Sequence, residues 1–304
     1  MQYLRLFNVS FCMYKLFSLL AICTLILFGG CVKNNENPSW LEVKEWTLLQ
    51  NVELSGAEGE LNHNFSDAWV YIDDEIVGVF ELPFRIPILK SGPVNIKLFP
   101  AVRNNGISAT KKAYPFVDFY EVNLSLIQNE TSTIEPSTKY NAVTNFWIED
   151  FEDPLNVKLD IDANTSALVS TPASNVDLQP FNGNFYGLIE LNSNDSTWVV
   201  STRDQLYIPK NREAYLELDY YNTNTLLTGV IWISPSSVIN NPNIQLNAQN
   251  DTEVVWKKIY IDLKELIGNS PNGSNILQSL IARLDDGKEN TQIRIDNIKV
   301  VYFN

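Results

Sequence analysis

The chain has 304 residues, with 22 Lys and Arg against 36 Asp and Glu, one His, three Cys and a formal net charge of −14. That balance opposes phosphate backbones and anionic membrane surfaces, both of which attract cationic faces. One histidine and three cysteines also exclude a histidine-rich metal site and a framework of several disulfides.

The first thirty residues carry Arg5 and Lys15 ahead of an apolar core from Leu16 to Phe28. This core is shorter than the ~20 residues that cross a bilayer, so residues 1–30 read as a signal peptide and not as a transmembrane helix. Met13-Tyr14-Lys15 leads straight into the core and makes a more compact signal than one starting at Met1. The run Leu25-Ile26-Leu27-Phe28-Gly29-Gly30-Cys31 then resembles a bacterial lipobox. That resemblance implies cleavage before Cys31 and its acylation by diacylglycerol and palmitate, giving a lipoprotein whose membrane contact is the lipid. Cys12 and Cys23 leave with the signal, so Cys31 is the one cysteine of the processed chain and neither a disulfide nor a cysteine–histidine dyad forms in it. The signal removes two of the 22 bases and none of the 36 acids, leaving a net charge of −16.

Residues 31–39 read as a lipidated polar tether. Val32 stands where an inner-membrane retention aspartate would be, which favours the outer membrane, on its surface or its periplasmic face. Lys33-Asn34-Asn35-Glu36 loosely resembles the surface-export signal of Bacteroidota lipoproteins.

Beyond the tether, short apolar and aromatic runs alternate with Asn, Gly, Pro and Ser turns. Ala68–Ile72, Val94–Leu98, Phe119–Leu124, Tyr215–Tyr220, Val230–Ile233 and Ile293–Asp296 are β-branched or aromatic and bounded by turn formers. The expected fold is all-β, two consecutive β-sandwiches. Short helices are expected at Leu263–Ile267 and Asn275–Leu280. A polar, turn-rich stretch near 129–145 divides the chain into domains at 40–143 and 144–304, both of ordinary domain size.

Trp69-Val70-Tyr71-Ile72-Asp73-Asp74-Glu75, Gly78, Pro83, Ile86-Pro87 and Ser91–Ile96 resemble the PEGA-type, immunoglobulin-like sandwiches of surface proteins, with Asp74-Glu75 in place of the usual Asp-Gly. Residues 144–304 resemble the galactose-binding-like jelly roll of carbohydrate-binding modules. The matching segments are Trp147–Pro154, Tyr215–Tyr220, Trp256–Leu263 and Ile293–Tyr302. This second resemblance implies a ligand-binding role and a structural calcium ion between the first and last strands, with Glu149, Glu152 and Asp296 at the ligand positions. A solvated or strand-capping role for these acids is the competing reading.

Sugar binding requires exposed aromatic faces beside hydrogen-bonding groups. The candidates are Trp198, Trp232, Tyr186 and Tyr221, with Asn192, Asn222 and Arg203 as polar partners. For each aromatic a core position competes, and Trp256 is expected to pack inside. His63 lies in a loop without a Gly-x-Ser-x-Gly elbow, and no phosphate loop or His-Glu-x-x-His motif occurs, so no catalytic role is expected. Asp195-Ser196-Thr197 resembles the O-glycosylation acceptor of Bacteroidota. The sequence thus points to a lipid-anchored, non-catalytic binder of glycan in the cell envelope, or to an assembly component that contacts envelope proteins. The first should display a contiguous aromatic patch, the second a broad, flat apolar one.

Overall fold

A computed structural model describes residues 37–172, 183–250 and 252–304. The signal peptide, Cys31 and the tether as far as Glu36 lie outside the described residues. No helix among the described residues is long and apolar enough to cross a membrane.

Ten of the described strands precede residue 140: β1 (Ser39–Val43), β2 (Thr47–Leu49), β3 (Asp67–Ile72), β4 (Glu75–Glu81), β5 (Phe84–Ile88), β6 (Gly92–Arg103), β7 (Lys111–Ala113), β8 (Tyr120–Leu126), β9 (Thr131–Ile134) and β10 (Ser137–Lys139). An antiparallel sheet runs β4-β3-β6-β7, with β8 also on β6, and β5-β1-β9 and β10-β2 form smaller sheets. In β3, Ala68, Val70 and Ile72 are buried while Trp69 and Tyr71 on the other face are half-exposed. The β3–β4 turn places Asp73 and Asp74 at φ of 53° and 64°. This left-handed pair is tied down by Asn95 N–H on Asp73 Oδ1 at 2.9 Å and by Lys97 on Asp74 at 2.6 Å.

Eleven described strands follow: β11 (Thr144–Glu149), β12 (Leu159–Ile161), β13 (Val169–Ser170), β14 (Gly187–Asn192), β15 (Thr197–Thr202), β16 (Ala214–Asn222), β17 (Leu226–Ile233), β18 (Val238–Leu246), β19 (Lys257–Asp262), β20 (Asn275–Arg283) and β21 (Asn290–Phe303). They form one sheet in the order β13-β14-β21-β16-β19, with β11 on β21, and a second in the order β12-β15-β20-β17-β18. Trp198, Val200, Val230 and Leu280 from the second sheet meet Ile189, Leu216, Ile259 and Ile295 from the first in one core. Each such side chain contributes about 1.5–3 kcal/mol on burial. The chain is therefore all-β, and its second half is a sandwich of jelly-roll type.

The helix expected at Leu263–Ile267 is α1 (Lys264–Gly268), whereas Asn275–Leu280 is not helical. That segment is the interior strand β20, paired on both sides with β15 and β17. Ile276, Leu280 and Ala282 point into the core, while Leu277 and Ile281 lie half-buried on the other face. Apolar residues on both faces erase the alternation that marks a half-buried strand.

In these sheets no strand before Thr144 pairs with one after it. The halves are nevertheless packed together, since Tyr215, Tyr260 and Val301, on the outer face of the β16–β19–β21 sheet, belong to the core of the first half. Ser39–Asn304 is one compact unit. Four charges are sealed in this junction: Glu217, Asp219 and Lys299 have no exposed surface and Lys258 is buried. Lys258 Nζ lies 3.1 Å from Glu217 Oε2 and 3.6 Å from Asp219 Oδ1. The hydroxyls of Tyr114 and Tyr140 donate to Glu217 Oε1 at 2.5 and 2.8 Å, and Asn62 donates to Asp219. Lys299 Nζ donates to the carbonyls of Glu58 at 2.8 Å and Glu60 at 2.5 Å.

Candidate functional site on the first half

The aromatic residues that remain accessible together lie on the outer face of the β4-β3-β6 sheet. The register sets Val79 opposite Trp69 and Trp69 opposite Phe99. Phe119 stacks on Phe99 with 5.0 Å between ring centroids, and Tyr71 meets Phe99 edge-on at 5.3 Å. Trp69, Tyr71 and Phe99 are half-exposed, and Phe119 is 45% exposed. Trp69 is fixed in rotation because its Nε1–H donates to the Lys111 carbonyl at 3.1 Å.

The hairpin between β6 and β7 forms the rim. Together with Trp69, Tyr71 and Phe99, the residues Asn104, Thr110 and Lys112 line a shallow cleft of about 660 Å3. This volume falls within the roughly 300–1,000 Å3 of small-ligand sites. Asn104 Oδ1 is buried and has no hydrogen-bond partner among the described residues. Asn105, at φ 57°, anchors the hairpin to the second half: its N–H donates to the Tyr260 carbonyl at 2.8 Å, and its Oδ1 accepts the Asp262 N–H at 2.8 Å.

The aromatics selected from the sequence lie elsewhere, in the jelly roll. Trp198 is fully buried in the core and presents no face to solvent, which corrects its assignment as a ligand-stacking residue. Trp232 is half-buried and packs against the same core. Tyr186, 3% exposed, is too deeply buried for stacking, a second correction. Tyr186 and half-buried Tyr221 do come together, with Trp256 at centroid distances of 6.1 and 6.3 Å. The Arg294 guanidinium occupies the ring faces there, 4.9 Å from Tyr221 and 5.6 Å from Tyr186.

The polar partners are also committed to local structure. Arg203 binds Asn156 Oδ1 at 2.9 Å and the Val157 carbonyl at 2.5 Å. Asn192 Oδ1 caps its own turn through the Asn194 and Asp195 N–H groups at 2.8 and 3.0 Å. Asn222 is buried and donates to the Asn224 carbonyl at 2.7 Å. Asp195-Ser196-Thr197 ends that same turn, at the start of β15.

The three acids assigned to calcium do not form a cluster, and among the described residues no group of three or more His, Cys, Asp or Glu could hold a metal ion. Glu149 is buried and accepts the N–H groups of Phe151, at 2.7 Å, and Lys158. Glu152 accepts those of Asn184 at 2.7 Å and Phe185 at 3.0 Å, and Asp296 Oδ1 that of Asn297 at 2.8 Å. These carboxylates accept backbone N–H groups of separate turns and form no shared group, so the residues present do not fit a calcium ion. His63 is half-buried, accepts the Phe65 N–H at 3.3 Å and stacks on Phe65. Burial, reinforced by the Lys258 charge, pushes its imidazole below the usual pKa.

No family model matches the chain, and no curated protein matches it. Among solved structures, a carbohydrate-binding module specific for non-crystalline cellulose is 12% identical, with a TM-score of 0.36 over 49% of this chain and 91% of its own. A module studied for promiscuous specificity in the β-sandwich superfamily is 13% identical, with a TM-score of 0.38 over 77% of this chain and 84% of its own. The family 11 module of the cellulosomal cellulase Lic26A-Cel5E of Clostridium thermocellum is 16% identical, with a TM-score of 0.31 over 50% of this chain and 91% of its own. At these scores the likenesses carry no ligand over to this chain.

Sequence reasoning passed over Trp69, Tyr71, Phe99, Phe119 and Asn104. Its one usable signal was Ala68-Trp69-Val70-Tyr71-Ile72, where the alternation puts both large rings on one face and smaller aliphatics on the other.

Proposed function

We propose that the chain is a lipid-anchored, non-catalytic binding protein of a bacterial cell envelope that holds glycan on its Trp69–Phe99 face. The observation that carries this reading is the contiguous row of accessible rings, Tyr71, Trp69, Phe99 and Phe119, beside a rim that offers Asn104, Thr110 and Lys112. Apolar ring faces match the C–H faces of pyranoses, and the rim supplies hydrogen bonds to hydroxyls. In this reading the first half is a PEGA-type, immunoglobulin-like module, and Cys31 with the polar residues after it tethers the protein to the outer membrane. A glycan array probed with the processed chain tests the binding: Trp69→Ala should lose every glycan that the parent retains. Retention of those glycans by the variant would overturn the reading. For the anchor, Cys31→Ser should abolish signal cleavage and release the protein from the membrane fraction.

A second reading, attachment to another envelope protein, is favoured by the outer face of the β15-β20-β17 sheet. There Val199, Ile281 and Leu227 lie in register, Ile231 lies opposite Leu277, and all five are half-buried. Small residues, Ser201, Ser279 and Gly229, separate these two aliphatic rows. Under this reading Ile231→Lys would abolish a crosslinked envelope complex while leaving glycan retention unchanged.

A further inference from the structure

The β6–β7 hairpin also borders a second cleft of about 570 Å3, lined by Arg103 and Gly106 together with Tyr220, Trp256, Lys257 and Lys258. In a chain of 36 acids and 22 bases, this cleft is lined by Arg103, Lys257 and the backbone of Lys258, whose own ammonium is turned into the buried cluster, and by no acidic residue. The compensating acids do not line it. Lys258 is countered by Glu217 and Asp219. Arg103 is held through Nη2 by Glu81 at 2.7 Å, while its Nε, 3.8 Å from Asp67, makes no hydrogen bond. Asp67 is itself met by Lys111 at 2.5 Å. Lys257 is exposed at the start of β19 and makes no ion pair among the described residues, which leaves it the cleft's one cation without an acidic partner among them.

The hairpin borders both clefts, with Asn104 and Thr110 lining the aromatic one and Gly106 the other. A polymer lying on Trp69 and Phe99 and continuing past the hairpin would meet the rings of Trp256 and Tyr220 among these cations. We infer that the second cleft holds an anionic substituent, a carboxylate or a sulfate ester, of the glycan bound on the aromatic face; the inference rests on the glycan reading. Guanidinium and ammonium groups donate charge-assisted hydrogen bonds to both anions.

Titration calorimetry on the processed chain tests this with polygalacturonate against its methyl ester, and dextran sulfate against dextran. In at least one pair the charged polymer should bind about tenfold or more tightly than the neutral one, a preference that shrinks as salt is raised. The pair that shows it identifies carboxylate or sulfate. Lys257→Glu should erase the preference and leave the neutral polymer's affinity unchanged. Equal affinities within both pairs, binding of neither charged polymer, or a preference that survives Lys257→Glu would each overturn the inference. Trp69→Ala separates the two claims. If that variant binds every polymer as the parent does while Lys257→Glu still removes the charge preference, the aromatic-face reading fails and the anion site stands.

Discussion

Trp69 and Trp198 are both strand tryptophans flanked by small or β-branched residues, and their burial separates their roles. Trp198 fills the jelly-roll core with no exposed surface, whereas Trp69 is held half-exposed by its bond to the Lys111 carbonyl. Local sequence does not distinguish them, because which face of a strand is covered depends on the sheet packed against it. Truncating a central aromatic anchor costs about 2 kcal/mol or more, so Trp69→Ala should weaken glycan binding roughly thirtyfold, measured by calorimetry, without lowering the thermal midpoint. Lys258 should behave in the opposite way. Burial alone would raise the pKa of the Glu217 carboxyl, yet Lys258 and Lys299 together with the tyrosine hydroxyls hold it below the ordinary range. Lys258→Met leaves Glu217 and Asp219 facing only Lys299, and loss of one partner from a buried ion pair costs about 3–5 kcal/mol. The expected result is a large drop in the urea midpoint. A change within error would mean that water reaches the cluster.

At the scale of elements, the β6–β7 hairpin connects the two halves to both clefts. Asn105 suits its position because asparagine tolerates left-handed backbone and its amide oxygen receives the Asp262 N–H. Asn105→Gly keeps the backbone freedom and loses the bond, whereas Asn105→Ala loses the bond and also adds left-handed strain. Both should loosen the rim and weaken glycan binding, with alanine the worse by about 1 kcal/mol or roughly fivefold. Equal affinities for the two variants would show that backbone strain does not matter there. Strands such as β3 and β16 were legible because turn formers bracket β-branched and aromatic runs. β20 was not legible, since Leu277 and Ile281 make its outer face as apolar as its inner one and imitate a helical repeat. The accessible aromatic face escaped notice for a related reason: it is assembled from β3, β6 and the segment before β8, and only the register of Trp69 against Phe99 brings the rings together.

Across the whole molecule, the junction ties stability to pH through Lys299. Burial drives its amine down to about 8 from an ordinary 10.5, Lys258 pushes the same way, and Glu217 and Asp219 oppose both. Below about pH 8 the folded and unfolded chains are both protonated here, and the cost of burying the charged amine is fully present. Between about 8 and 10.5 the unfolded chain keeps a proton that the folded chain has released, so stability rises with pH across that window. Burial raises Tyr114, Tyr140 and Tyr260 well above their usual range, which lowers stability only once the unfolded phenols ionise near pH 10. From pH 7.5 to 9.5 the gain should be about 1–2 kcal/mol, read as a rising urea midpoint. Because the cluster joins both halves, the two should unfold in one transition at every pH in this window, and Lys299→Met should unfold with a midpoint independent of pH. Two separate transitions would show that the halves are held by something weaker than this cluster, and a falling wild-type midpoint would show that the Lys299 amine keeps its proton when buried.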